Sequence, residues 1–207
     1  MRRSIFVILT LAVVALIFTG CAGSPQSRFY HLNAAKEQTS VTQSVIREGS
    51  LVVTIGPIRI PDYLDRPQIV TRSGKNEFNL SEFNRWAGSL EKNISLVLVD
   101  NISTILPADR FLVLRWSPII ESEIPSSYRV EVVVDSFEGA IGSSVSLKAN
   151  WGIVTKNGIL QGRRESVINE QVDGSGYDAL VAAMSSALER LGRDIAEGIK
   201  SVSKESK

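Results

Sequence analysis

The chain has 207 residues, 43% of them hydrophobic, with 23 Lys and Arg against 22 Asp and Glu, one histidine and one cysteine. A near-neutral balance excludes the electrostatic footprint of a nucleic-acid binder. A single cysteine excludes an internal disulfide, and a single histidine leaves little for histidine-based catalysis or metal binding.

Met1-Arg2-Arg3-Ser4 precedes an apolar run from Ile5 to Phe18 that only Thr10 interrupts. As a helix this run spans roughly 21 Å, short of a hydrocarbon core of about 30 Å. Two arginines, a short apolar stretch and the small pair Thr19-Gly20 are the layout of a secretory signal peptide over residues 1–20. An uncleaved membrane anchor is the alternative, and the length of the run fits it less well. Thr19-Gly20-Cys21 is similar to a bacterial lipobox, although Phe18 stands where that pattern prefers Leu. The likeness implies cleavage before Cys21, diacylglycerol on its thiol and a further acyl chain on the freed amine, with no other cofactor. Two or three chains hold a membrane firmly where one holds it marginally.

Residues 21–27 form the lipidated N-terminus and a tether of small and polar residues. Losing residues 1–20 removes Arg2 and Arg3 and leaves 187 residues with 21 Lys and Arg against 22 Asp and Glu. That length suits a single domain, placed at 28–202, with a polar tail over 203–207.

Residues 28–32 (RFYHL) are expected as a first strand and 33–50 as a polar loop. The run LVVTIGPIRI from Leu51 has strand composition with a bulge or bend at Gly56-Pro57. PQIVTRSGKNEFNLSEF then reads as strand, turn at 73–76, strand. Trp86, Leu90, Ile94, Val97, Leu98, Ile102 and Ile105 recur at helical spacing, so a helix is expected from about Asn84 to Leu106, with Pro107 as its stop. A short strand follows at 111–116, and alternation marks strands at 128–137 and 145–153. Asn157-Gly158 is the strongest short hairpin signal, returning an edge strand over 159–172. Leu180, Val181, Met184, Leu188, Leu191, Ile195 and Ile199 stripe a last helix, 177–202, with Ser175 or Asp178 as candidate cap. The expected fold is α+β: a mostly antiparallel sheet packed against two long helices.

Catalytic patterns are scarce. The chain contains no G-x-S-x-G elbow, Walker A loop or H-E-x-x-H. His31 lies beside Phe29, Tyr30 and Leu32, which reads as a packed strand rather than a base with partners. Asp62/Asp65 and Glu121/Glu123 sit among prolines and read as solvated acids rather than a glycosidase pair. Asn79, Asn93 and Asn101 head Asn-x-Ser sequons without meaning in a bacterial lipoprotein. Trp86, Trp116 and Trp151 are read as core. No enzyme is indicated and no metal site.

One stretch is denser in special residues than packing requires: IGPIRIPDYLDRPQIVTR, 55–72. Three prolines fix its backbone, Arg59, Arg66 and Arg72 interleave with Asp62 and Asp65, and Tyr63-Leu64 sit at its centre. A rigid loop of this kind is a docking surface, because pre-ordering lowers the entropic cost of binding. It is equally a structural arch in which the arginines pair with neighbouring aspartates. As a docking surface it presents Arg59, Asp62, Tyr63, Leu64 and Arg66.

The lipobox followed by SRFYHL, then this stretch, then NEFNLSEFNRWAGSL, resembles the ABC-type transport auxiliary lipoproteins, which work in MCE systems. The family continues after Trp-Ala with an acidic residue and proline, where this chain has Gly88-Ser89. The resemblance implies a non-enzymatic lipoprotein of an intermembrane lipid-transport system, anchored in the outer membrane and facing the periplasm. Its implied partners are an MCE-domain protein and an inner-membrane permease, and MCE rings make a homo-oligomer a natural expectation. Ala22 after the cysteine is consistent with outer-membrane sorting. The alternative is an outer-membrane lipoprotein cofactor of a cell-wall synthase or secretion channel.

Overall fold

A computed structural model describes residues 25–35 and 49–205. The expected signal peptide, 1–20, and the expected lipidation site, Cys21, lie outside the described residues. Eight strands and three helices follow in the order β1 (Arg28–Tyr30), β2 (Leu51–Arg59), β3 (Gln68–Arg72), β4 (Phe78–Trp86), α1 (Leu90–Ile105), β5 (Phe111–Arg115), α2 (Pro118–Glu123), β6 (Tyr128–Gly139), β7 (Ser144–Thr155), β8 (Leu160–Gln171) and α3 (Tyr177–Glu205).

The sheet is mixed, which corrects the mostly antiparallel expectation. β6–β7–β8 and β3–β4 are antiparallel, whereas β1–β4, β2–β5, β2–β6 and β3–β6 are parallel. The parallel pairs join strands separated by crossovers, and no local turn signal announces them. β2 carried a trace of this arrangement, since Val52 to Ile55 are all buried and a strand flanked by parallel neighbours is apolar on both faces.

β6 is the hub and its free side forks. Its first half pairs with β2 as far as Arg59↔Val133, and its last residue meets β3 at Thr71↔Gly139. Between these contacts, Val134 to Glu138 have no strand partner on that side, so the fork leaves a notch. The other branch runs β3–β4–β1, a three-stranded wing. The alternation along β6 holds through Val134, and a bulge between Val134 and Ser136 then turns Phe137 inward and Glu138 outward.

The helices cover the inner face. α1 packs on β2, β5 and α3, and α3 packs on β6, β7 and β8. α1 starts six residues later than its periodicity predicts, because Trp86 pairs with Tyr30 at the end of β4. Ser89 then caps the helix by accepting from the Lys92 amide at 3.3 Å. The short α2 was not foreseen; Ser117 as cap with Pro118 in the first turn is its signal. The register of β2 shifts between Ile55 and Ile58, around Gly56 at φ +124°. A hairpin turns at Gly158, and β8 is an edge. Trp86 and Trp151 are buried in one continuous core reaching from Tyr30 to Val202, while Trp116 is half-buried. Gly198 lies against the Trp151 ring, where a Cβ would come within 2.7 Å of Cη2. α3 therefore sits close to the sheet there because position 198 carries no side chain.

Candidate functional site

The loop from Ile60 to Pro67 fills the notch. Its turn is tight: the Leu64 amide donates to the Pro61 carbonyl at 2.9 Å and the Arg66 amide to the Leu64 carbonyl at 2.8 Å. Leu64 is 2% exposed and belongs to the core; burying it contributes about 2 kcal/mol. It is therefore the loop's peg in this chain, and not part of the surface on which sequence reasoning placed it.

Tyr63 is half-buried and held from two sides. Its ring stacks on Phe78 with centroids 4.7 Å apart and planes 13° off parallel. Its hydroxyl donates to Glu138 Oε2 at 2.7 Å. Glu138 is 3% exposed, and it also accepts from the Phe137 amide at 2.9 Å and pairs with Arg72. Arg72 in turn stands over the Phe78 ring, 4.6 Å from its centroid. Thus the arginine of the stretch that finds a carboxylate takes Glu138 from β6. Among the described residues neither Asp62 nor Asp65 forms an ion pair, so the arch built on Arg–Asp pairs is not what holds the loop.

The charged groups that the end of β2 and the notch loop offer to solvent are Arg59, Asp62 and Asp65, with Arg66 and Tyr63 half-exposed. Arg66, Asp65 and Pro67 border a cleft of about 360 Å³ that Trp86 to Leu90 close from the other side. The outward groups are charged and stand on a rigid base, an arrangement suited to recognising a charged protein surface. Among the described residues no cluster of His, Cys, Asp and Glu could hold a metal ion.

Burial pushes the Tyr63 phenol above its ordinary value of 10.0, and the bond to the Glu138 carboxylate reinforces the shift. A folded value above the unfolded one stabilises the fold below about pH 10, and that contribution is lost as pH rises toward the folded value. Tyr63→Phe is accordingly expected to flatten the alkaline fall in stability, at a cost of about 1.5 kcal/mol at neutral pH for the missing hydroxyl. Urea midpoints measured from about pH 8 to pH 11 check this; parallel curves for the two proteins would place the alkaline sensitivity elsewhere.

Three residues that matter here were missed. Glu138, next to last in β6, is an acid where continuing the Tyr128–Val134 alternation calls for packing, and that mismatch was its signal. Asn93 and Asn101 were set aside as sequons, yet both are buried on α1 and face the segment after β1. Asn93 Oδ1 accepts from the Leu32 amide at 2.7 Å, its Nδ2 stands 2.9 Å from His31 Nε2, and Asn101 Oδ1 accepts from the Ala35 amide at 3.1 Å. His31 is exposed and serves this clasp. Glu121 braces Ser126, whose hydroxyl donates to its carboxylate at 2.8 Å, while Glu123 is exposed.

Comparison with known proteins agrees with this architecture. The chain is 25% identical over 191 residues to the intermembrane transport lipoprotein PqiC of Escherichia coli (strain K12), covering 92% of this chain and 96% of that protein. The PqiC of Shigella flexneri matches to the same extent. A crystal structure of an uncharacterised protein superposes with a TM-score of 0.69 at 20% identity, covering 84% of this chain and 99% of the other. Protein XCC0632 from Xanthomonas campestris does so with 0.61 at 17% identity, covering 88% and 97%. These two structures share the fold. The model of the ABC-type transport auxiliary lipoprotein component matches residues 30–196, and the chain belongs to that family.

Proposed function

We propose that the protein is a non-enzymatic lipoprotein of an intermembrane lipid-transport system. In this reading acyl chains on Cys21 hold it in the outer membrane with its domain facing the periplasm. The notch loop docks on an MCE-domain protein, which connects it to an inner-membrane permease, and more than one copy surrounds the end of the MCE assembly. The observation that carries the reading is the match to an intermembrane transport lipoprotein over 92% of the chain. The docking role of the loop is supported by its construction: Leu64 and Tyr63 fix it from beneath while Arg59 and Asp62 stand free above.

The test pairs the acylated full chain in detergent with purified MCE-domain proteins from the same cells. Arg59→Glu with Asp62→Lys is expected to weaken binding about tenfold, since charges on a pre-ordered rim set register and rate. The urea midpoint should not move, because both side chains are exposed. Failure of the unaltered protein to bind any MCE-domain protein would remove the docking function; binding indifferent to the charge reversal would move it off this loop.

A further inference from the structure

Among the described residues, nothing covers one face of the wing. Cross-strand partners share a face, and neighbours along a strand alternate. Tyr30 pairs with Trp86, and both point inward, where Tyr30 meets Tyr177 of α3 with ring centroids 6.2 Å apart. Phe29 and its partner Arg85 therefore point outward, and Phe83 follows Arg85 on the same side. The β3–β4 register shifts between Gln68 and Val70, and past this irregularity Val70 and Leu80 pair on the outer face that Gln68 shares with Arg85, as do Arg72 and Phe78. The notch loop covers the β3 part, which leaves Val70 buried and Phe78 stacked under Tyr63. The β4–β1 part stays bare: Phe29 is 64% exposed, Leu80 45% and Phe83 37%. Single exposed apolar residues are ordinary, but three large ones on one face of two adjacent strands form a surface that water leaves unfavourable.

Its place in the chain says what covers it. Phe29 lies one residue into the first strand, and seven residue steps separate Cys21 from Arg28. Fully extended, these reach at most about 24 Å. Resting on the reading of Cys21 as an acylated anchor, the start of β1 cannot leave the immediate vicinity of the bilayer. A surface held this near a membrane meets lipid at high effective concentration, so even weak apolar contacts are occupied.

We propose that the outer face of β4–β1 seats in the headgroup region of the membrane that carries Cys21, with Phe29, Phe83 and Leu80 entering the boundary and Arg85 at the phosphate level. Phenylalanine and leucine on one face of an element are the side chains that enter this boundary to a depth of about 5–10 Å. The seating is interfacial, and no helix among the described residues is long and apolar enough to cross a membrane. It fixes the domain's orientation, since an acyl tether alone leaves the domain free to turn.

The test uses the full acylated protein in vesicles of phosphatidylethanolamine and phosphatidylglycerol, with and without bromine on the upper acyl chain. Phe29→Trp, Phe83→Trp and Ile159→Trp are each compared with the parent protein. Ile159 is a matched exposed position in the β7–β8 turn, at the opposite end of β6 from β3. The emission added at positions 29 and 83 is expected to fall at least about twofold with brominated lipid, and that added at 159 to stay unchanged. Equal quenching at all three positions, or none at 29, overturns the seating. Emission at 29 that ignores bromine but shifts as protein concentration rises shows a second copy on this face, which also overturns it. Intact mass separately reads the acyl chains on Cys21; their absence contradicts the anchor reading, while quenching at 29 decides the seating in either case.

Discussion

Glu138→Ala is expected to lower stability by about 3 kcal/mol, a large share of the 5–15 kcal/mol typical of a domain. The carboxylate is almost fully enclosed and takes three donors: the Tyr63 hydroxyl, the Phe137 amide and the Arg72 guanidinium. Alanine strands the Phe137 amide away from water, which costs about 1–3 kcal/mol, and takes from the half-buried Tyr63 hydroxyl its acceptor. Arg72 is partly exposed and recovers hydration, so its loss counts least. Replacing a buried ion by an apolar side chain can stabilise a protein when its partners are replaced as well; here they remain. Glu138→Gln keeps an acceptor and should lose about half as much. Chemical denaturation gives the values, and a loss below about 1 kcal/mol for alanine would mean that the cluster does not secure the notch loop.

The second large effect belongs to Asn93→Ala, expected at about 2–3 kcal/mol. Leu32 is fully buried yet has no strand beside it, since β1 ends at Tyr30. Asn93, 7% exposed, supplies the missing partner with one amide: it accepts from the Leu32 N–H and donates to the Leu32 carbonyl at 3.3 Å. Alanine leaves both backbone groups unpaired in the core. The damage is local first, because Asn101 and Ser185 still hold Ala35 and Asn33. Hydrogen exchange should therefore accelerate at Leu32 far more than in β7. Unchanged exchange at Leu32 in the alanine variant would show that the clasp holds nothing. In the proposed function this clasp joins the anchored end of the chain to the body.

Local signals carried well from sequence to fold where the physics is local. The Tyr128–Val134 alternation, the Asn157-Gly158 turn and the α3 stripe each settle within a few residues, and the structure keeps them. The parallel pairings do not, because β2 meets β5 and β6 only after long crossovers. Trp86 fits both a helical stripe with Leu90 and Ile94 and a strand position opposite Tyr30, and the wing took it. The stretch 55–72 was legible as special from its prolines and charges, but which residues face out was not. That depends on the fork in β6, which sends Leu64 inward and gives Tyr63 and Arg72 a shared carboxylate from a strand 66 residues beyond Arg72. Asn93 shows the reverse limit: a sequon pattern concealed a side chain doing the work of a strand.

The most direct measurement is photo-cross-linking in cells from position 62, the exposed tip of the notch loop, in the otherwise unaltered full chain. The predicted result is one dominant adduct whose partner, identified by mass spectrometry, is an MCE-domain protein, and which is lost from Ile159 at the far end of the sheet. An adduct pattern that is the same from both positions, or one from position 62 without any MCE-domain protein, would contradict docking through this loop.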